Sequence, residues 1–252
     1  MATRIAEPPT DQANPPGRMP ADQDEIQTVA ARLASAAPQD VLSWTVDRFA
    51  PLVAVSCSFG GPSGTVLIEM LARLALLDQV KVYFIDTGLL FAESHTLRSK
   101  LERRYGFEAV RYEPAIDLQA QALQYGDELW SRDPDACCGI RRVAPNVEAL
   151  RGQHAWVAGI RRDQSTSRAN TPAVAWNARH EVVKVAPLAT WTDAMVWDYV
   201  RRYDVPVNDL HADGYPSLGC TVCTTRVDDG EHLRSGRWRN SDKTECGLHW
   251  QI

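Results

Sequence analysis

Residues 52–77, "LVAVSCSFGGPSGTVLIEMLARLALL", decide how the rest of the chain is read. "LVAVS" is a short apolar run rich in β-branched residues, "CSFGGPSG" is a glycine-rich turn, and "TVLIEMLARLALL" spaces its apolar residues as a helix does. A strand, a loop and a helix therefore follow one another. The order recurs: "KVYFI" (81–85) precedes "DTGLLFAESHTLRSKLERRYG" (86–106), "EAVRYEP" (108–114) precedes "IDLQAQALQYG" (116–126), and "HAWVAGI" (154–160) follows a segment with paired cysteines. Strands alternating with helices of these lengths predict an α/β fold, a mainly parallel sheet with helices on both faces. Ligands of such sheets bind at the C-terminal strand ends, near a topological switch point.

Outward from this unit, Ile26, Val29, Ala30 and Leu33 fall at helical spacing, and "PQDVLSWTVDRF" repeats the pattern after Pro38, so two helices lead into the core. "TPAVAW" and "EVVKVAP" predict a hairpin, and "WTDAMVWDYVRRYD" a helix capped by Thr192. Residues 1–24, rich in proline and polar groups without apolar period, read as a mobile leader. Residues 25–225 form the expected α/β domain. Residues 226–252 are turn-rich and form an expected C-terminal tail.

The 252 residues are 44% hydrophobic and 23% charged, a globular composition, and the formal net charge of -5 excludes an overall positive field for nucleic acid or anionic lipid. Any bound anion must be met by locally placed arginine or lysine. No apolar run is long enough to cross a bilayer and no cleavable signal pattern opens the chain, which places it in the cytoplasm. Six cysteines in an intracellular chain of this size point to metal binding or catalysis rather than disulfides.

Two cysteine pairs stand out, Cys137–Cys138 in "ACCGIRR" and Cys220–Cys223 in "GCTVC". Together they supply four thiolates, the number for tetrahedral zinc or for one iron-sulfur cluster. Adjacent cysteines are unusual around one small ion, and a cluster with separate iron corners accepts them better. Cys246, in "KTECGLHW" (243–250), is left without a partner. A free thiol on a turn-rich tail is a nucleophile if a cation lowers its pKa, and the cationic candidates are Lys243, His249, Arg234 and Arg237. The acidic residues Asp228, Asp229, Glu231, Asp242 and Glu245 neutralise the same stretch. The loop "SCSFGGPSG" and "FIDTG" (84–88) end adjacent strands and can form one nucleotide cleft, while Arg161, Arg162 and Arg168 in "GIRRDQSTSR" can fork onto phosphate oxygens.

With "DTG", "GIRRDQS", "PLATWTDAMVWDYV", "VPVNDLHADGYPSLGC" and "GEHLRSGRW", these motifs resemble the assimilatory adenylyl-sulfate reductases, the iron-sulfur branch of the sulfonucleotide reductases, from about Val53 to His249. The resemblance implies a Rossmann-like adenine-nucleotide α-hydrolase fold and a 4Fe-4S cluster on Cys137, Cys138, Cys220 and Cys223. It implies reduction of adenylyl sulfate to sulfite and AMP, with thioredoxin as electron donor supplied in trans, and a homo-oligomer, since relatives are often tetramers. Carried over by position, Cys246 is the nucleophile and His249 a substrate contact. Arg234 and Arg237 hold the phosphosulfate, Ser58, Gly60, Gly61, Thr87, Gly88, Gly159 and Arg168 line the nucleotide cleft, and Arg142 and Arg168 join the other two arginines in lessening the repulsion between thiolate and substrate. The tail is expected to close over substrate and open after AMP leaves. Three features depart from the family pattern: "GPSG" replaces an acidic pair in the first loop, Arg142 replaces a lysine, and an aromatic run after "GRW" is shortened to "WRNSD". The alternatives are reduction of the 3'-phosphorylated nucleotide, or of both, and a tRNA-thiolating ATP pyrophosphatase of related fold, whose "SGGKDS"-like loop and basic surface this chain lacks.

Overall fold

The computed structural model describes residues 23–249. The expected leader lies outside the described residues except for Gln23 and Asp24, which begin the first helix, α1 (Gln23–Leu33). α2 (Pro38–Phe49) follows with proline in its first turn, where a missing N–H costs nothing. Next come β1 (Val53–Ser56), α3 (Pro62–Arg73), β2 (Lys81–Ile85), α4 (Ala92–Tyr105), β3 (Val110–Tyr112) and α5 (Leu118–Tyr125). Short helices α6 (Leu129–Arg132) and α7 (Pro134–Cys138) run into a π-helical turn, Gly139–Val143, and then α8 (Ala144–Leu150). β4 (Ala155–Ala158), the hairpin β5 (Val174–Asn177) and β6 (Val182–Val185), and α9 (Asp193–Tyr203) complete the regular elements. Thr192 caps α9 as expected, its hydroxyl accepting from the Met195 N–H at 3.3 Å.

The strands form one sheet in the order β3-β2-β1-β4-β6-β5. All neighbours are parallel except the hairpin pair. β1 sits between β2 and β4, so successive connections leave it in opposite directions. That reversal opens a crevice at the C-terminal ends of β1 and β4, where Ser56 and Ala158 are in register.

The pleat sorts the strands' side chains onto two faces. Val53, Val55, Val82, Phe84, Ala155, Val157, Val183 and Val185 join the larger core with residues of α1 to α4 and α9. Ala54, Tyr83, Trp156, Ala158 and Val182 face the other way, against Ala149 and Leu150 of α8. Continuous apolar strands such as "LVAVS" are what a sheet covered on both sides requires.

Beyond α9 the backbone is held by local bonds rather than by long elements. Thr224 and Arg237 form an isolated bridge, Thr225 N–H donates to the Gly236 carbonyl at 2.9 Å, and Trp238 N–H to the Cys223 carbonyl at 3.0 Å. These bonds fold residues 226–249 back onto the second cysteine pair. No described helix is long and apolar enough to cross a membrane.

Candidate active site

The loop from β1 to α3 and the start of the segment after β4 form one wall of the crevice. Gly159 is required there by contact: a Cβ would stand 3.0 Å from Ser63 and from the Gly64 nitrogen, so β4 passes the first turn of α3 only without a side chain. Gly61 precedes α3, whose N-terminal N–H groups and dipole face the crevice. Ser58 is exposed at the rim and accepts a bond from Gly60 N–H at 3.4 Å. Cys57, beneath the loop, is a core residue: burial pushes its thiol up to about 12.

Of the residues expected in the nucleotide cleft or at its anion, Ser58, Gly61, Arg142, Gly159, Arg168, Arg234, Arg237, Cys246 and His249 line this crevice. Gly60, Thr87 and Gly88 stand behind it. Gly60 lies against Leu218, where a Cβ would come within 3.0 Å. Thr87 is fully buried with its hydroxyl 3.3 Å from the Cys220 sulfur. Gly88, at φ +72°, turns the chain back onto Arg141, whose Nε donates to the Thr87 carbonyl at 2.6 Å. "DTG" thus ties the β2 end to the cysteines.

The two cysteine pairs come together at this point. Cys137 and Cys138 end α7, and the π-helical turn that follows swings Arg141 and Arg142 toward the second pair; such turns recur at functional sites. Burial raises the Cys137 thiol, and the charge of Cys220 raises it further. Cys138 is pushed up to about 12 by burial, opposed by Arg142 and reinforced by Cys246 and Cys220. Cys223 is pushed up to about 11 by burial, then by Cys220 and Cys137. Burial also raises Cys220, but the charge of Arg142, whose Nη2 lies 3.3 Å from the sulfur, and the Thr87 hydroxyl outweigh it, so its pKa falls. Among the described residues no three His, Cys, Asp or Glu side chains converge tightly enough for a single metal ion. Four cysteines gathered within reach of one another's charge still form a donor set suited to a cationic group larger than one ion, and their chemistry fits an iron-sulfur cluster.

Cys246 is buried, not exposed as a free tail thiol would be, and packs with Cys138 and Trp238. The tail around it docks through specific contacts. His249 stacks on Trp156 of β4, with ring centroids 5.3 Å apart and planes 21° apart. Lys243 pairs with Asp135 at the start of α7 and stands 5.6 Å from the Trp238 ring. His249 is not the cation expected beside the thiol: burial, with Lys184 and Arg168 nearby, holds its pKa well below the usual histidine range. Arg237 donates to the Leu218 carbonyl at 3.2 Å, lies over Trp238, and keeps an Nε without a partner among the described residues. Arg234 donates to the Thr244 carbonyl at 2.9 Å.

The phosphate fork expected of three arginines is largely spent within the protein. Arg161 is buried and donates to Ser63 at 2.6 Å, Asp163 at 2.9 Å and Asp193 at 2.9 Å. Arg162 Nε donates to the Thr171 carbonyl at 2.8 Å. Arg168 engages Glu245. The nearby acids that make these pairs, Asp163, Asp193 and Glu245, carried no sign in the sequence of which arginine each would meet.

A profile of the phosphoadenosine phosphosulfate reductase domain matches residues 52–226. An adenosine 5'-phosphosulfate reductase of Salinibacter ruber is 40% identical over 91% of this chain and 90% of its own length. The chain belongs to the sulfonucleotide reductase family. Adenosine 5'-phosphosulfate reductase 1 of Bacillus subtilis is 41% identical over 83% of this chain and 89% of its own. Among solved structures, the phosphoadenylyl-sulfate reductase of Candida auris, a phosphate complex, aligns with a TM-score of 0.71 at 28% identity over 83% of this chain and 100% of that one. The FMN adenylyltransferase of Candida glabrata, with a TM-score of 0.55 at 17% identity, shares the fold.

Within this sulfonucleotide reductase fold, two side chains at the crevice and one beside it carried roles that the sequence reading missed. Trp156 is the platform for His249 and donates its indole N–H to Ser56 at 2.9 Å. Asn146 of α8 accepts from the Tyr83 hydroxyl at 2.7 Å, and its Nδ2 lacks a partner among the described residues. Lys184 lies under the tail, its Nζ 4.7 Å from the Trp156 ring and likewise unpartnered. Only Lys184 left a readable signal, a lysine in the middle of the apolar run "EVVKVAP".

Proposed function

We propose that the protein reduces adenosine 5'-phosphosulfate to sulfite and AMP, with Cys246 as the nucleophile. The observation that carries this reading is the meeting of one buried thiol, Cys246, with Arg142, Arg168, Arg234 and Arg237 at the C-terminal ends of β1 and β4. The curated relatives that align over most of their length carry the name of this activity.

In the reaction, the Cys246 thiolate attacks the sulfonyl sulfur, forming an S–S bond as the bond from sulfur to the phosphate oxygen breaks and AMP leaves with that electron pair. An anionic nucleophile must approach a group that is itself anionic. The guanidinium groups lessen that repulsion and orient the phosphosulfate, and such preorganised charge is commonly a large catalytic contribution. Gly61 and the N-terminus of α3 offer backbone N–H groups to the nucleotide phosphate. The product is a Cys246 S-sulfonate. A thioredoxin thiolate then attacks the Cys246 sulfur and expels sulfite, and the second thioredoxin thiol resolves the mixed disulfide, so the two electrons come from the dithiol.

The 4Fe-4S cluster belongs to the proposal as a resident group on Cys137, Cys138, Cys220 and Cys223. When bound, it would supply a covalent brace between α7 and the 219–224 segment and a fixed charge beside Arg142. Residues 226–252 act as the carrier of the nucleophile, and the reaction is cytoplasmic. The Candida auris neighbour acts on the 3'-phosphorylated nucleotide, and comparison of turnover on both nucleotides tests whether that activity extends here.

The direct test is an anaerobic assay of sulfite release with thioredoxin. Wild type is expected to turn over. Cys246→Ser is expected to bind AMP, keep its iron and release no sulfite. Sulfite release by the variant at the wild-type rate contradicts the proposal.

A further inference from the structure

Two of the cations assigned to the phosphosulfate are already engaged by an anion of the chain itself. Arg168 presents its Nε and Nη2 edge to Glu245, 2.8 Å to Oε1 and 2.7 Å to Oε2, while its Nη1 donates to Gln164. Arg234 Nη2 reaches Glu245 Oε2 at 3.3 Å. The Ser165 and Ser167 hydroxyls donate to Oε1 at 3.0 and 3.3 Å. Glu245 is only 8% exposed. Burial raises its pKa, but the bonds and charge of Arg168 and the charge of Arg234 outweigh that, so the group is a carboxylate.

This is a complete anion seat, two guanidinium groups and two hydroxyls, and its occupant is the residue next to Cys246. A carboxylate, a phosphate and a sulfonate present the same two-oxygen edge to an arginine fork. The Nε–Nη2 edge of Arg168, the fork that suits an anion, is taken by Glu245.

We infer that Glu245 is a positioning residue: its carboxylate seats the tail that carries Cys246, and the anion of the nucleotide takes over Arg168 and Arg234 from it on binding. The inference rests on the sulfonucleotide reading above. It makes substrate entry and release of the tail one exchange of ligands on two arginines. Glu245 therefore lowers affinity for anionic nucleotides while it holds the tail, and with it Cys246, in the crevice before nucleotide binds.

The test uses the full chain and the variant Glu245→Gln, which keeps the shape and removes the charge. Calorimetry with AMP is expected to give a Kd about tenfold lower than wild type, a gain of about 1.4 kcal/mol. Uncharged adenosine is expected to bind both proteins equally. Glu245→Asp, which keeps the charge, is expected to hold the Kd for AMP near the wild-type value. Weaker or unchanged AMP binding in Glu245→Gln, or an equal gain for adenosine, overturns the inference. Should the variant fail to fold, wild type alone suffices: AMP, but not adenosine, is expected to speed alkylation of Cys246, and protection by AMP overturns the exchange. A wild type that neither binds AMP nor forms the S-sulfonate instead removes the sulfonucleotide reading itself.

Discussion

Lys184 carries a charge into a fully buried strand. Its ammonium has Trp156 for a neighbour, no hydrogen-bond acceptor among the described residues, and a pKa lowered to about 7 by burial and Arg168, against Cys246 and Glu245, which raise it. His180 and His249 also face it, and both are held below the usual histidine range, by burial first. A lysine pKa depressed in the folded state means that the unfolded chain binds more protons between about pH 7 and the ordinary lysine value near ~10.4. Stability due to this group therefore rises with pH across that window, and the whole penalty is present below it. Thermal unfolding is expected to show wild type gaining stability from pH 7 to 9. Lys184→Met, which removes the charge and keeps the volume, is expected to be the more stable protein at pH 6.5 and to lose that slope. A variant less stable than wild type at pH 6.5 contradicts this account. The sequence hinted at this residue because a lysine breaks an apolar strand. It gave no hint for Glu245, one of five acids near the tail, whose partner Arg168 lies 77 residues away and is brought to it only by the fold.

At the scale of elements, the strand-loop-helix repeats were legible because burial on both faces writes itself as apolar runs and helix periods. The sheet's reversal at β1 and β4 was legible only as an expectation of class, and the π-helical turn after Cys138 was not legible. "GIRRVAPNV" reads as ordinary helix, and the extra residue in the turn matters only because it brings Arg141 and Arg142 to the second cysteine pair. The close crossing of α3 and β4 was likewise hidden, since a glycine in "AGI" has no sequence signal for what stands opposite. Gly159→Ala places a methyl 3.0 Å from the Ser63 and Gly64 backbone. It is expected to cost about 1–3 kcal/mol by overpacking, read as a lower thermal midpoint, and to weaken AMP binding by displacing the start of α3. An unchanged midpoint would mean that α3 is free to move.

At the scale of the whole molecule, the order of the parts brings Cys246 to the crevice. The sheet fixes the crevice, α7 and the 219–224 segment meet beside it, and the tail returns across both, anchored by His249 on Trp156 and Glu245 on Arg168. In the proposed reaction Cys246 reacts in the crevice and then meets a protein reductant, which needs a mobile mount, and Gly247 beside it, at φ +83°, lets the backbone turn. If the paired cysteines hold the proposed cluster, Cys223→Ser is expected to lose iron and acid-labile sulfide together and to lower the thermal midpoint. Retention of both in the variant would separate Cys223 from the set. The central claim is narrower, that Cys246 takes the sulfonyl group. Intact-mass measurement of the protein incubated with adenosine 5'-phosphosulfate, reductant omitted, is expected to reveal one added sulfonyl group, mapped by peptide analysis to Cys246 and released by thioredoxin as sulfite. An unmodified Cys246 in protein that still forms AMP would contradict the account.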